Sequence, residues 1–247
     1  MRTANPALNK NAFAHMPKHS GESMTVNGAI NKSFILFLLL LFPAIYIWNM
    51  ILSSSEVPSY FNGLLIGSII LGLVVAIITI FKKEWSPITA PIYAIVEGVI
   101  LGAISVFFNI IFPGIVLQAV ALTFGVLLVM LFLYRTHIIK VTQKFRMAIV
   151  AATGAIFLVY IISFIMSFFG TTIPLIHGSG MVGIGFSLVV VAIAALNLVL
   201  DFDFFERGAQ ANAPKYMEWY AAFGLMVTLI WLYIEILRLL SKLRSRN

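Results

Sequence analysis

Residues 34–52 read FILFLLLLFPAIYIWNMIL, nineteen residues without a charged side chain. A helix of about 20 apolar residues crosses the ~30 Å hydrocarbon core of a bilayer. Seven such runs occur: Phe34–Leu52, Phe61–Phe81, Ile88–Phe112, Ile115–Tyr134, Met147–Phe169, Met181–Phe205 and Trp219–Leu240. Their all-round hydrophobicity, without period-two alternation, is typical of helices rather than barrel strands. The sequence therefore predicts an all-α polytopic membrane protein, a bundle of seven transmembrane helices.

The composition supports this fold class and excludes several functions. Of the 247 residues 61% are apolar and only 10% are charged, and the mean hydropathy is +1.04. The chain has no cysteine, which excludes disulfides, thiolate metal sites and cysteine nucleophiles. A net charge of +7 is expected from basic residues that flank membrane spans, so we expect no nucleic-acid partner. No common catalytic motif is present, and we do not expect an enzyme.

Polar and apolar segments divide the chain into three parts. Residues 1–31 form a polar, flexible tail, residues 32–241 the transmembrane domain, and residues 242–247 a short basic tail. From the N-terminal tail onward, the segments outside the spans carry four, zero, two, zero, four, zero and two Lys or Arg residues. This alternation predicts a cytoplasmic N-terminus.

The C-terminal tail does not follow the alternation. Lys242, Arg244 and Arg246 would lie outside if the seventh run crosses the membrane fully. The alternative is a re-entrant last helix that returns to the cytoplasm. We favour the full crossing, because a late tail directs topology more weakly than four concordant segments.

Ionisable side chains within the spans are the candidates for function, because each costs about 2.5–3.5 kcal/mol to insert. Glu97 lies about ten residues into the third run, beside the small-residue pair Gly98 and Gly102. Its carboxyl either serves a polar pathway or donates a structural hydrogen bond. A second pair, Gly63 and Gly67, has no neighbouring charge and is predicted to serve packing alone.

The sixth run ends in a cluster of polar residues. Asn197 and Asp201 are four residues apart and share a helix face, whereas Asp203 points elsewhere. Asp203 is predicted to pair with Arg207 at the membrane surface, and Gly208 to end the helix. Asp201 is therefore our first choice for function.

A further acid, Glu235, lies late in the seventh run, three residues before Arg238. We expect the two to pair at the membrane edge. Glu235 could meet Asp201 only if the last helix is re-entrant.

Four segments together resemble the Bax inhibitor-1 family, in its bacterial branch with a long N-terminus: Arg2–Leu8, Glu97–Gly102, Leu200–Gly208 and Trp231–Leu240. The resemblance implies a seven-helix bundle with the last helix central. It also implies a pH-sensitive calcium leak, in which aspartates on the sixth and seventh helices share a proton.

Carried over to this chain, the first aspartate falls on Asp201, or on Asp203 if the register slips. The second falls on Thr228, which cannot titrate. Of the two remaining candidates for the second acid, Glu97 and Glu235, Glu97 is the better substitute. With Asn197, Asp201 and Glu97 would form only a weak, hydrated calcium site, and we expect no other cofactor.

Two functions follow as expectations from the acids and the resemblance. The first is a pH-modulated cation (calcium) leak of the bacterial inner membrane, with the lipid bilayer, calcium and protons as its partners. The alternative is an interaction protein that modulates a membrane protease or another membrane complex through its N-terminal tail.

Overall fold

The computed structural model describes residues 22–53, 59–170 and 178–246, and its elements in these ranges are helical. The α-helices are α1 (Val26–Ser53), α2 (Phe61–Phe81), α3 (Ser86–Ile111), α4 (Ile115–Arg135), α5 (Gln143–Phe168), α6 (Met181–Gln210) and α7 (Met217–Ser245). A 3₁₀ turn, Lys83–Trp85, precedes α3. All seven α-helices are long and apolar enough to cross a membrane, which confirms the predicted fold class.

The helices extend beyond several predicted boundaries. α1 begins at Val26 rather than Phe34, so the last residues of the predicted tail are helical. Residues 1–21, on which the predicted flexibility falls, lie outside the described ranges. The long helices follow from backbone chemistry, because a span in lipid must satisfy its own N–H and C=O groups.

The prediction that Gly208 ends the sixth helix is wrong. α6 continues to Gln210, and the residue with left-handed backbone is Asn212, at φ 50°. The N–H groups of Asn212 and Ala213 donate to the carbonyls of Ala209 and Gly208, at 3.1 and 3.0 Å. These two bonds form a Schellman motif, in which asparagine can take the position that glycine usually holds.

The chain divides into two compact units. The first unit contains α4, α5, the part of α6 up to Asp203 and the part of α7 from Thr228 onward. The second unit contains α1 to α3, the end of α6 from Phe204 and the start of α7 up to Val227.

In the second unit α3 packs closely against α1 through its two glycines. A Cβ atom on Gly98 would overlap the carbonyl oxygen of Leu40, and one on Gly102 would lie 2.7 Å from that of Ala44. The small-residue pair therefore lets the backbone of α1 approach α3 closely. The packing role predicted for the pair in α2, Gly63 and Gly67, is not confirmed: in the described part of the chain no atom outside their own stretch of helix lies within 4 Å of their Cβ positions.

Thr25 caps the N-terminus of α1, because its hydroxyl accepts a hydrogen bond from the N–H of Gly28 at 2.9 Å, and a carboxylate from α7 holds Thr25 in place. The backbone N–H and the hydroxyl of Thr25 both donate to Glu218 Oε1, at 3.0 Å each. Glu218 is 1% exposed, and a Cβ on Gly28 would overlap its carboxyl group. A negative charge at this position also interacts favourably with the positive end of the helix dipole. Lys215 Nζ lies 3.3 Å from the same carboxylate oxygen, and the hydrogen bond and charge of Glu218 raise the pKa of Lys215.

The last helix is the most buried span among the described residues. Within its most apolar window 56% of the residues are buried, against 17–44% in the other six. α7 is also unbroken over 29 residues, or about 43 Å at 1.5 Å per residue. This length and continuity favour the full crossing over the re-entrant alternative.

The glycine contacts predict different effects of one added methyl group. Gly98→Ala or Gly102→Ala should lower the thermal stability in detergent, since α1 must move away from α3; overpacking of this kind costs about 1–3 kcal/mol. Gly67→Ala is the matched control and should leave the melting temperature unchanged or raise it, because alanine favours helix. Equal melting temperatures for all three variants would contradict the close α1–α3 contact.

Candidate functional site

Asp201 is buried within the first unit without a donor to its carboxylate. It is 1% exposed, and neither carboxylate oxygen has a hydrogen-bond partner among the described residues. The polar group that approaches it is the hydroxyl of Thr228, in an arrangement outside full hydrogen-bond geometry. Buried carboxylates are normally paired or bonded, so this group is available to bind a ligand or a proton.

Asn197, one turn before Asp201, ties α6 to α5. Its side-chain amide nitrogen donates to Thr153 Oγ1 and to the carbonyl of Ile193, both at 2.9 Å. Asn197 is 6% exposed and lies on the same helix face as Asp201. Because the two amide protons are already used, Asn197 can offer a cation only its side-chain oxygen.

Asp203 forms an ion pair with a residue from α5. Arg146 Nη2 lies 2.6 Å from Asp203 Oδ2, and the two side chains are 12% and 14% exposed. The pair holds the start of α5 against α6 and agrees with a structural role for Asp203. The predicted pairing of Asp203 with Arg207 stays a prediction.

α6 and α7 pair in antiparallel register within the first unit. Thr228 lies beside Asp201, and Lys242 Nζ donates to Ser187 Oγ at 2.7 Å. The two contacts are fourteen residues apart on each helix, or about 21 Å along the axis. This register places Thr228, the position expected for the second acid, at the level of Asp201.

Glu235 is buried in a small polar cluster. It is 1% exposed, and its Oε1 accepts hydrogen bonds from the hydroxyl of Tyr160 at 2.9 Å and from Arg238 Nη1 at 3.0 Å. The predicted pairing with Arg238 is confirmed. Glu235 is seven residues from Thr228 on α7, about 10 Å along the axis, so it does not share the site of Asp201.

Glu97 lies in the second unit, on the part of α3 that faces α2. Tyr93, one turn earlier, is its hydrogen-bonding neighbour. A Cβ on Gly72 of α2 would lie 3.6 Å from Glu97 Oε1. The hydrogen bond agrees with the structural interpretation of Glu97, although it joins two residues of one helix rather than two helices.

The sequence identified the acids but missed two of their partners. Arg146 and Tyr160 come from segments far from the acids along the chain, and no local spacing indicates these contacts. Within residues 22–53, 59–170 and 178–246 no group of three or more His, Cys, Asp or Glu side chains is arranged to hold a metal ion. A cation that passes through the expected leak would therefore be a transported substrate and not a resident cofactor.

Comparison with known proteins gives a match to a protein family. The family model described as Bax inhibitor 1 like matches residues 5–245. No curated protein and no solved structure matches the chain.

The Arg146–Asp203 pair predicts a coupled effect on stability. Arg146→Gln or Asp203→Asn alone should lower the melting temperature in detergent, because each removes one charge of a largely buried ion pair. The double variant should be more stable than the sum of the two losses predicts, with a coupling of roughly 0.5–3 kcal/mol. Additive losses across this double-mutant cycle would show that the two side chains do not interact.

Proposed function

The chain belongs to the Bax inhibitor 1 like family, and on this premise we propose that it conducts cations, calcium among them, slowly across the bacterial inner membrane, with its N-terminus in the cytoplasm. We also propose that pH modulates this cation flux. The protein is a multi-pass membrane protein with seven apolar helices.

The observation that carries the proposal is the unsatisfied carboxylate of Asp201. A carboxylate buried in a span without a protein donor is costly. Asp203 and Glu235 are each engaged by an arginine, at 2.6 and 3.0 Å. Asp201 has no such counter-charge in the described part of the chain, so a mobile cation or a proton is the natural partner of its charge.

The oxygens around Asp201 match a weak, hydrated cation site. Calcium takes six to eight oxygen ligands at 2.3–2.6 Å, from carboxylates, carbonyls and water. The two carboxylate oxygens, the Thr228 hydroxyl and the Asn197 side-chain oxygen supply fewer than that, so water must complete the shell. Incomplete coordination is compatible with conduction, which requires that an ion leave its site as readily as it enters.

Protonation supplies the proposed modulation by pH. A proton on Asp201 removes the negative charge that attracts a cation, so acidification should reduce the leak. Two close carboxylates can hold one proton between them, but in this chain Thr228 takes the second position. The titration should therefore involve one carboxyl group rather than a coupled pair.

The first test is calcium flux into proteoliposomes that contain a calcium-sensitive dye. Asp201→Asn should reduce the flux toward that of empty vesicles, because the neutral amide cannot attract the cation. Glu206→Gln, which removes an exposed acid from the same helix, is the matched control and should conduct like the wild type. Glu97→Gln tests separately whether the second unit contributes an acid.

The same assay distinguishes the leak from the alternative function. A chain without residues 1–20 should retain its flux, whereas a docking function based on the N-terminal tail would be lost. Wild-type flux equal to that of empty vesicles would remove the proposal.

Thr228→Asp is expected to restore an acid pair. The new carboxyl would lie beside Asp201, and the two would share a proton. Flux should then begin to fall at a higher pH than in the wild type, because the pair holds its first proton more tightly than Asp201 alone, and Thr228→Asn, which adds no charge, should keep the wild-type profile. Identical pH profiles for the two variants would show that residue 228 does not couple to Asp201.

A further inference from the structure

One face of α7 carries a row of polar residues through the first unit. Thr228, Glu235, Arg238 and Lys242 are separated by seven, three and four residues, spacings that place all four on one side of a helix. The row begins beside Asp201 and ends at Ser187, where Lys242 Nζ donates to the hydroxyl and to the carbonyl of Gly183 at 2.7 and 3.0 Å. A polar row of this length in an apolar span indicates more than a single isolated site.

The middle of this row is a compact ion cluster. Glu235 Oε1 accepts from both Arg238 and Tyr160, and the Arg238 guanidinium lies 5.2 Å from the centre of the Tyr160 ring. Glu235 Oε2 is buried and has no hydrogen-bond partner among the described residues. One lone carboxylate oxygen is thus available to a cation that displaces Arg238.

The charges around Glu235 are unbalanced. Lys242, one turn beyond Arg238, is close enough to interact electrostatically with both Glu235 and Arg238. The cluster therefore places one negative charge against two positive charges. The Arg238 side chain is 46% exposed, so solvent screens part of this excess, but at the buried carboxylate of Glu235 the excess still repels a cation more strongly than it would in water.

We propose that Glu235, Arg238 and Tyr160 form a charge gate, in series with Asp201, at which a passing cation takes the place of the Arg238 guanidinium on Glu235. This inference rests on the proposed leak and deepens it. In the closed state the Arg238 guanidinium occupies the place on Glu235 that a cation would take. The Tyr160 ring contacts this guanidinium, and the Tyr160 hydroxyl donates to the carboxylate. The charge of Lys242 adds to the electrostatic barrier that a cation must cross. A purely structural ion pair would not require the additional positive charge of Lys242.

The test measures calcium flux in proteoliposomes as a function of the charge of the Glu235–Arg238 pair. Arg238→Gln leaves a net negative pair and should raise the flux by roughly ten-fold, a change that corresponds to about 1.4 kcal/mol. Glu235→Gln leaves a net positive pair and should reduce the flux below that of the wild type. The double variant restores a neutral pair and should conduct like the wild type.

Two further variants separate charge from packing. Arg238→Lys retains the charge without the guanidinium geometry and should conduct close to the wild type. Arg244→Gln removes another basic residue of α7, one that is partly exposed and donates to the carbonyl of Pro113 and to Gln118, and it should not change the flux. Melting temperatures in detergent, measured for each variant, identify any that fail to fold. If a single variant fails, the flux of the charge-balanced double variant is compared with that of the wild type.

The outcomes distinguish the gate from the leak itself. If Asp201→Asn lowers the flux but the Glu235 and Arg238 variants conduct alike, the gate is wrong and the leak stands. If both single variants change the flux in the same direction, the effect is one of packing and the gate is again wrong. If the wild type conducts no better than empty vesicles, both proposals are overturned.

Discussion

The hydrocarbon core of a bilayer contains no water that could form hydrogen bonds with a buried polar group. Each polar side chain inside a membrane bundle must therefore find its partner within the protein. In the first unit most of them do: Asn197 bonds to Thr153, Asp203 to Arg146, and Glu235 to Tyr160 and Arg238. Asp201 is the exception, with two buried carboxylate oxygens that have no donor among the described residues. The same helices that satisfy the neighbouring polar groups leave Asp201 unsatisfied, and the proposed leak depends on this contrast.

The antiparallel register of α6 and α7 organises both proposed elements. It brings Thr228 beside Asp201 and Lys242 beside Ser187, so the polar face of α7 runs along the first unit from one contact to the other. Along this helix pair, Asp201 of α6 is proposed to bind a cation, and Arg238 of α7 is proposed to repel one. Attraction and repulsion at successive levels of one helix pair would keep a leak slow without a tight binding site.

The sequence predicted the helices well because hydrophobic length is a local property, and the seven runs can be recognised from the residues they contain. It also identified Asp201 and the Glu235–Arg238 pair, since acids in apolar runs and spacings of three residues are local patterns as well. The contacts of Arg146 and Tyr160 were not predictable, because they span 57 and 75 residues of sequence. For the same reason the spacing of Gly63 and Gly67 indicated a packing face, but not whether another helix of this chain would cover it.

The bond between Thr25 and Glu218 has a consequence for biosynthesis. The two residues are separated by 193 residues, which a ribosome takes roughly 10–40 s to synthesise at about 5–20 residues per second. During that interval the start of α1 has only its local cap, from the Gly28 N–H to the Thr25 hydroxyl. The contact with Glu218 can form only after the start of the last helix has been synthesised, so the second unit is completed late, after α1 itself has formed.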